Sequence, residues 1–355
     1  MGKLSELSEE IVSIFNNKSY IALLALISGT VAAETEQATN SSQPSEKPKR
    51  VQTFGDLLDP DLPGVLTPKG SFVLDTSFSF TQNSSNRVSV VGYTVLPSLI
   101  VGLIEASDTD RTTLTFGLTG RYGITNRLEV EARIPWVYRY DSVSKRDTNT
   151  PAEGATTTTF DGSDIGDIEA AFKYQINMET APYWIAGLRF KTTTGTSPYD
   201  VPASTEFGLE ELPTGSGFPS IEPSLTMIMP MDPAVIYANL SYIWNIKDDV
   251  SSELNGVTTK NEIDLGDTIG ISAGMGFAVN PKLSFSLGMS HRTILKSKVN
   301  GSTQDDAKLL QLDSISMGAN YAINPETTLN VGVNAGLTAD APDFQLTVRV
   351  PYTLR

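Results

Sequence analysis

The sequence predicts an all-β protein: a closed antiparallel transmembrane barrel of the outer-membrane type, with about twelve strands (fourteen is the other count it allows) and a short N-terminal plug segment. Three observations predict it. From Gly70 onward apolar and polar residues alternate nearly to the C-terminus, the period at which a strand turns successive side chains to opposite faces. Tight turns alternate with long polar connections. The chain also opens on a leader-like apolar run and contains no cysteine, so an exported protein must hold itself together by hydrogen bonding and packing rather than by disulfides.

The run SYIALLALISGTVAA at 19–33 follows Lys18 and closes on small residues, the layout of a secretory signal peptide, so residues 1–33 are expected to direct export. It is too short to span a bilayer comfortably, which takes ~20 apolar residues. Residues 34–52 are polar, aperiodic and proline-bearing, and read as a periplasmic linker. Residues 53–69 carry a small apolar patch, Phe54, Leu57 and Leu58, with room for one or two helical turns before Pro60. The barrel is expected over 70–355.

Eleven strand-length segments follow Arg111, at 111–123, 127–140, 164–177, 182–194, 218–231, 233–247, 263–279, 281–296, 313–323, 326–338 and 342–352. An even count then requires one long strand between 70 and 104, giving twelve, or three short ones, giving fourteen. Twelve is preferred. Turns near Thr125-Asn126, Asp232-Pro233, Asn280-Pro281 and Asn324-Pro325 are tight, whereas 141–163, 195–217, 248–262 and 297–312 are long and polar. Outer-membrane barrels sort their connections this way, with short periplasmic turns and long external loops. A soluble β-sandwich, the competing reading, has no reason to.

In RYGITNRLEVEARIPWVYRY at 121–140, Arg127, Glu129, Glu131 and Arg133 share one face, and Leu128, Val130, Ala132, Ile134 and Trp136 share the other. The same split places Arg121, Asp167, Glu169, Lys173, Arg189 and Lys191 on the polar faces of neighbouring segments. With lipid outside, these charges line an enclosed lumen, and strands with a lipid-facing side must close so that no edge stays unpaired. Trp136, Tyr138, Tyr140, Tyr242 and Trp244 cluster at strand ends as an aromatic girdle at the membrane–water interface. The chain is therefore expected in the outer membrane of a Gram-negative bacterium, with lipid as a partner.

Interleaved lumen charges of both signs form a cross-strand ion ladder. They can act as a selective constriction, as a frame that holds a wet lumen open, or as both. The formal charge of −15 comes without any basic stripe, so no nucleic-acid partner is expected. Asp161, Asp164 and Asp167 in DGSDIGD could offer oxygens to calcium, but the spacing fits no defined calcium loop, and no metal or other cofactor is expected. His291, the one histidine, falls on the apolar face two residues before Thr293. A lipid-facing enzyme built around that pair is the least favoured reading, since threonine is a poor nucleophile and no orienting group is evident. No catalytic residue is assigned.

YGITNRLEVE at 122–131 resembles the strand–turn–strand signature of outer-membrane transporters grouped with meta-pathway phenol degradation. LPGVLTPKGSFVLD at 62–75 and NSSNRV at 83–88 resemble one branch of that family, the secretion pores of functional-amyloid systems. The resemblance implies a twelve-stranded trimeric barrel that exports amyloid subunits past an N-terminal plug. Here the plug would be formed by Phe54, Leu57, Leu58, Leu62 and Leu66. Two departures stand out: no heptad-bearing segment precedes the plug, and the chain ends in TLR rather than on an aromatic residue. The expected function is a plug-gated pore for unfolded amyloid subunits. The alternative is a channel for small, aromatic or hydrophobic, solutes.

Overall fold

The computed structural model describes residues 66–85, 107–145, 156–201, 203–204, 208–209, 211–254, 257–303 and 307–354. The signal peptide, the linker, and Phe54, Leu57, Leu58 and Leu62 of the expected plug lie outside these residues.

Among the described residues all regular structure is strand. In chain order the strands are β1 (Phe72–Ser85), β2 (Ser107–Gly123), β3 (Leu128–Lys145), β4 (Thr156–Ile165), β5 (Glu169–Gln175), β6 (Tyr183–Lys191), β7 (Ala203–Ser204), β8 (Gly208–Leu209), β9 (Ser220–Met231) and β10 (Ala234–Asn245). They continue as β11 (Asp248–Leu254), β12 (Val257–Asp264), β13 (Thr268–Asn280), β14 (Leu283–Ile294), β15 (Lys298–Val299), β16 (Ser302–Thr303), β17 (Leu310–Ala322), β18 (Thr328–Gly336) and β19 (Phe344–Leu354).

The sheet closes on itself. β1 pairs antiparallel with β2 on one side, from Phe72↔Tyr122 to Ser85↔Thr109, and with β19 on the other, from Phe72↔Leu354 to Gln82↔Phe344. Because β1 fills the seam between β2 and β19, no further strand can enter the barrel there, and the count is twelve once β4 and β5 are taken as one interrupted strand. The interruption falls at Gly166–Asp167–Ile168, inside the segment expected to run unbroken from 164 to 177.

The burial pattern is the reverse of a soluble protein's. Apolar side chains such as Phe116, Ile134, Leu240, Met289 and Met317 stand exposed on the outer face, whereas Asp75, Glu129, Lys173, Thr226, Ser286 and Asn330 are buried on the inner one. An exposed apolar band around a polar interior is stable only where lipid, not water, wets the outside. Trp136, Tyr242 and Trp244 are exposed toward the strand ends away from the short turns, with Tyr138 and Tyr140 half-buried beside them. Near the turn ends Tyr122, Tyr174, Phe277, Tyr321 and Tyr352 form a second aromatic belt, which single strands had not suggested because its members are scattered along the chain. The two belts bracket the apolar band.

All four connections expected as polar loops carry strand, 195–217 only the short pair β7–β8. β3 and β4 pair up to Lys145↔Thr156, and β11–β12 form a hairpin joined by β15 and β16. Past the outer aromatic belt both faces of these hairpins meet water, so they need no apolar face and the alternating signal disappears from the sequence.

Candidate functional site: the barrel lumen

The charged side of the lumen is a chain of ion pairs set by strand register. Arg121 is opposite Glu131 on β3, and Asp75 reaches Arg121 across the β1–β2 pair. Asp75 is 1% exposed; its Oδ2 accepts from Arg121 Nη2 at 3.1 Å and also from Arg349 of β19, so one carboxylate ties three strands at the seam. Lys173 of β5 donates to Glu131 at 2.7 Å and lies 3.5 Å from Glu129. Glu169 lies 3.9 Å from Arg133 and 4.0 Å from Arg189, which in turn lies 3.5 Å from Glu222 of β9. Each ion thus has a counter-ion on the next strand, as desolvated charges require. Nearer the outer end, Arg111 Nε donates to Asp141 at 2.8 Å.

Nine of the ten predicted lumen charges lie on or at this wall. Arg127 does not. It is exposed in the bend between β2 and β3, its Nε 3.1 Å from Met178 Sδ on the adjacent turn. Alternation extrapolated one residue past the strand start placed it inward; the turn cancels that alternation. Sequence reasoning missed Asp75 and Glu222, whose own segments show the same alternation and could have supplied them; Arg292 and Arg349 fall on the polar faces of their segments by that alternation.

Both ends of the lumen are narrowed by chain that is not wall. At the outer end, residues 211–219 fold inward, with 212–216 and Phe218 buried. Arg139 Nη1 donates to the Pro213 carbonyl at 2.6 Å, and the Leu212 amide donates to the Asp161 carbonyl at 3.2 Å. At Gly162 a Cβ would collide with the Leu212 carbonyl, so only glycine lets this loop approach. The break in the wall holds the loop: Asp167 Oδ2 accepts from the Ser216 amide (2.9 Å), Ser216 Oγ (2.8 Å) and Lys191 Nζ (2.9 Å), and its Oδ1 accepts from the Gly195 amide (3.2 Å). Lys191 also donates to the Phe218 carbonyl at 2.9 Å. Asp167 and Lys191 are therefore loop anchors rather than bare lining. Phe218, Tyr199, Ile263 and Leu265 build a small apolar core under these external segments, and burial pushes the Tyr199 phenol up.

At the turn end, Leu66 is 5% exposed and packs with Ile185 and Ile228, with Tyr183 and Val235 beside them. These partners turn inward from β6, β9 and β10, so Leu66 sits on an apolar patch of an otherwise polar lumen. The Thr67 amide donates to Glu129 Oε2 at 2.7 Å, and the Lys69 amide to Asn126 Oδ1 at 3.2 Å. Glu129 thus serves both the ion ladder and the entering N-terminal segment.

The aspartates of 161–167, weighed as calcium ligands, have other partners. Asp167 is committed to its four donors, and Asp164 accepts from Ile165 N and Thr196 Oγ1; among the described residues no trio of metal-ligating side chains converges. Outside the barrel, His291 Nδ1 is 2.5 Å from Asp313 Oδ1, directly opposite on β17, and its Nε2 is 2.9 Å from Thr293 Oγ1. The orienting carboxylate that sequence reasoning did not identify is thus present. The amides on both sides, however, point along the sheet into the β13–β14–β17 ladder, so no pair of N–H groups faces outward to hold an oxyanion.

Residues 142–354 match the family described as MetA-pathway of phenol degradation. An outer membrane channel from Pseudomonas putida F1 superposes with a TM-score of 0.56 at 16% identity, over 81% of this chain and 97% of that one, which shows a shared fold. More distant are the P. putida toluene transporter TodX (TM-score 0.38, 11% identity, 81% and 90% covered) and the monoaromatic hydrocarbon channel CymD (0.40, 13%, 81% and 88%). With its twelve-stranded barrel and a family match over more than half its length, the chain is an outer-membrane barrel protein belonging to the MetA-pathway of phenol degradation family.

Proposed function

We propose that this barrel is an outer-membrane channel for small solutes, aromatic compounds among them, with the N-terminal segment as its inner gate. One observation carries the reading: a wet, ion-paired lumen is narrowed at one end by the 211–219 loop and at the other by Leu66 and Thr67. A passage restricted twice suits small molecules. The family description supports aromatic compounds as cargo. Export of amyloid subunits through a trimer is the other reading of the 62–75 and 83–88 resemblance; it draws on those stretches alone, and a lumen narrowed at both ends favours a small solute over a polypeptide.

Single-channel conductance in planar bilayers tests this. The mature chain is compared with a variant lacking residues 34–69 and with Leu66→Asp. The expected result is a mostly closed parent and a stable open pore in both variants. Equal conductance in all three would make the segment a tether and remove the gate. No conductance in any of them would overturn the channel.

A further inference from the structure

An apolar patch interrupts the polar wall at the turn end of the lumen. Tyr183 and Ile185 of β6, Ile228 of β9 and Val235 of β10 pack together there, while the next inward positions on β9 and β10, Ser224, Thr226, Asn239 and Ser241, are polar. Ile228 lies directly opposite Tyr183 on one side and Tyr237 on the other. A Cβ at Gly274 or at Gly288 would collide with the Tyr237 hydroxyl. The Tyr237 side chain therefore lies along the wall across two glycines, and the space over the patch is left to Leu66. With Leu66 in place, Ile185 is 1% exposed.

Leu66 is a tethered occupant of this patch. Its backbone is held by the Thr67 amide on Glu129, by the Lys69 amide on Asn126 and by the Gly70 amide, which donates to the Gly123 carbonyl at 2.8 Å. Those bonds use main-chain amides and would form with any side chain at 66; only the patch selects an apolar one. Tethering gives Leu66 a high effective concentration over the patch, yet it covers it with a single isobutyl group. Once Leu66 leaves, Ile185 and Ile228 face water, at a cost that grows with the apolar area uncovered. A free apolar solute that fills the patch removes this cost. A ligand that binds one of two states draws the equilibrium toward that state.

We infer that the patch is a binding site for a small uncharged aromatic solute and that Leu66 is its built-in competitor. The solute takes the place of Leu66 on Tyr183, Ile185, Ile228 and Val235, and in doing so releases the inner gate. The inference rests on the gated-channel reading and adds what opens the gate. A benzene-sized ring carries more apolar area than an isobutyl group and packs against the Tyr183 ring in an offset or edge-on contact. A charged ring would have to shed its hydration against two isoleucines, which opposes binding. The gate thus answers to the apolar character of the cargo, although most of the lumen wall is polar.

The chain contains no cysteine, so Thr67→Cys in the full mature chain adds one thiol beside Leu66, at a position 6% exposed. The rate at which a water-soluble maleimide labels that thiol in lipid vesicles reports departure of the segment. Saturating benzene should raise the rate about tenfold, the gain from burying two more carbons than an isobutyl group holds, and benzenesulfonate should not. Adding Ile228→Thr should give fast labelling that benzene no longer changes. No response to benzene, or an equal response to benzenesulfonate, would overturn the inference and leave the gate to be judged by the conductance of the truncated chain. Acceleration by benzene that persists in Ile228→Thr would also overturn it, since the solute would then act elsewhere. Fast labelling of Thr67→Cys without any solute would overturn the inference and the gate together. In the unaltered chain benzene should raise the open fraction in bilayer recordings; an unchanged open fraction overturns the inference even if Thr67→Cys does not assemble.

Discussion

Asp167→Ala should unlatch the outer loop without unfolding the barrel. The carboxylate accepts four hydrogen bonds, from two backbone amides, one hydroxyl and one ammonium, all but one between 2.8 and 2.9 Å. Hydrogen bonds to a charged acceptor contribute ~1.5–3 kcal/mol each, but they are not additive. Lys191 keeps its bonds to Ser216 Oγ and the Phe218 carbonyl in the variant, so the loss falls below the simple sum. Removing one partner of a buried pair costs ~3–5 kcal/mol, and even the lower figure shifts the loop's open–closed equilibrium by more than a hundredfold. The barrel ladders on either side do not depend on this side chain. The expected outcome is larger, noisier single-channel conductance and new protease cleavage within 192–219, with the unfolding midpoint of the barrel little changed. A protease-resistant loop and unaltered conductance would refute the assignment of Asp167 as the latch.

Two further outcomes follow from the inverted burial and the closed seam. Leu287→Arg, at a lipid-facing position flanked by Met275 and Met317, should cost ~2–4 kcal/mol in denaturant unfolding from lipid vesicles. The same change on a water-exposed strand would be close to neutral, so a neutral result here would contradict a lipid-facing side. Asp75→Ala leaves Arg121 and Arg349 facing each other across β1 and should destabilise the barrel by ~3 kcal/mol, read as a lower urea midpoint with an unchanged slope. Arg349→Ala in the same background should restore part of the loss, because it removes the repulsion between the two cations.

Much of this was legible in single segments. Alternation in 111–123, 127–140 and 281–296 sorted lipid-facing from lumen-facing residues because side-chain direction in a strand repeats every two residues whatever its neighbours do. The same rule failed at Arg127, where a turn ends the repeat, and at 141–163 and 248–262, where strands outside the bilayer need no apolar face. Of the expected plug residues only Leu66 lies among those described; it is found on an apolar lumen patch, and that patch is assembled from three strands spread over some fifty residues of sequence.

By itself the sequence determined that strands alternate, that one face of each is apolar, and that turns and loops are sorted by length. Each of these is set by residues adjacent in the chain. Tertiary structure alone decided which charge meets which and why Asp167 latches a loop instead of lining the wall. Those properties depend on the register between strands and on which ones become neighbours when the sheet closes. Closure joins Asp75 to Arg349 across 274 residues of sequence, and no local pattern carries that distance.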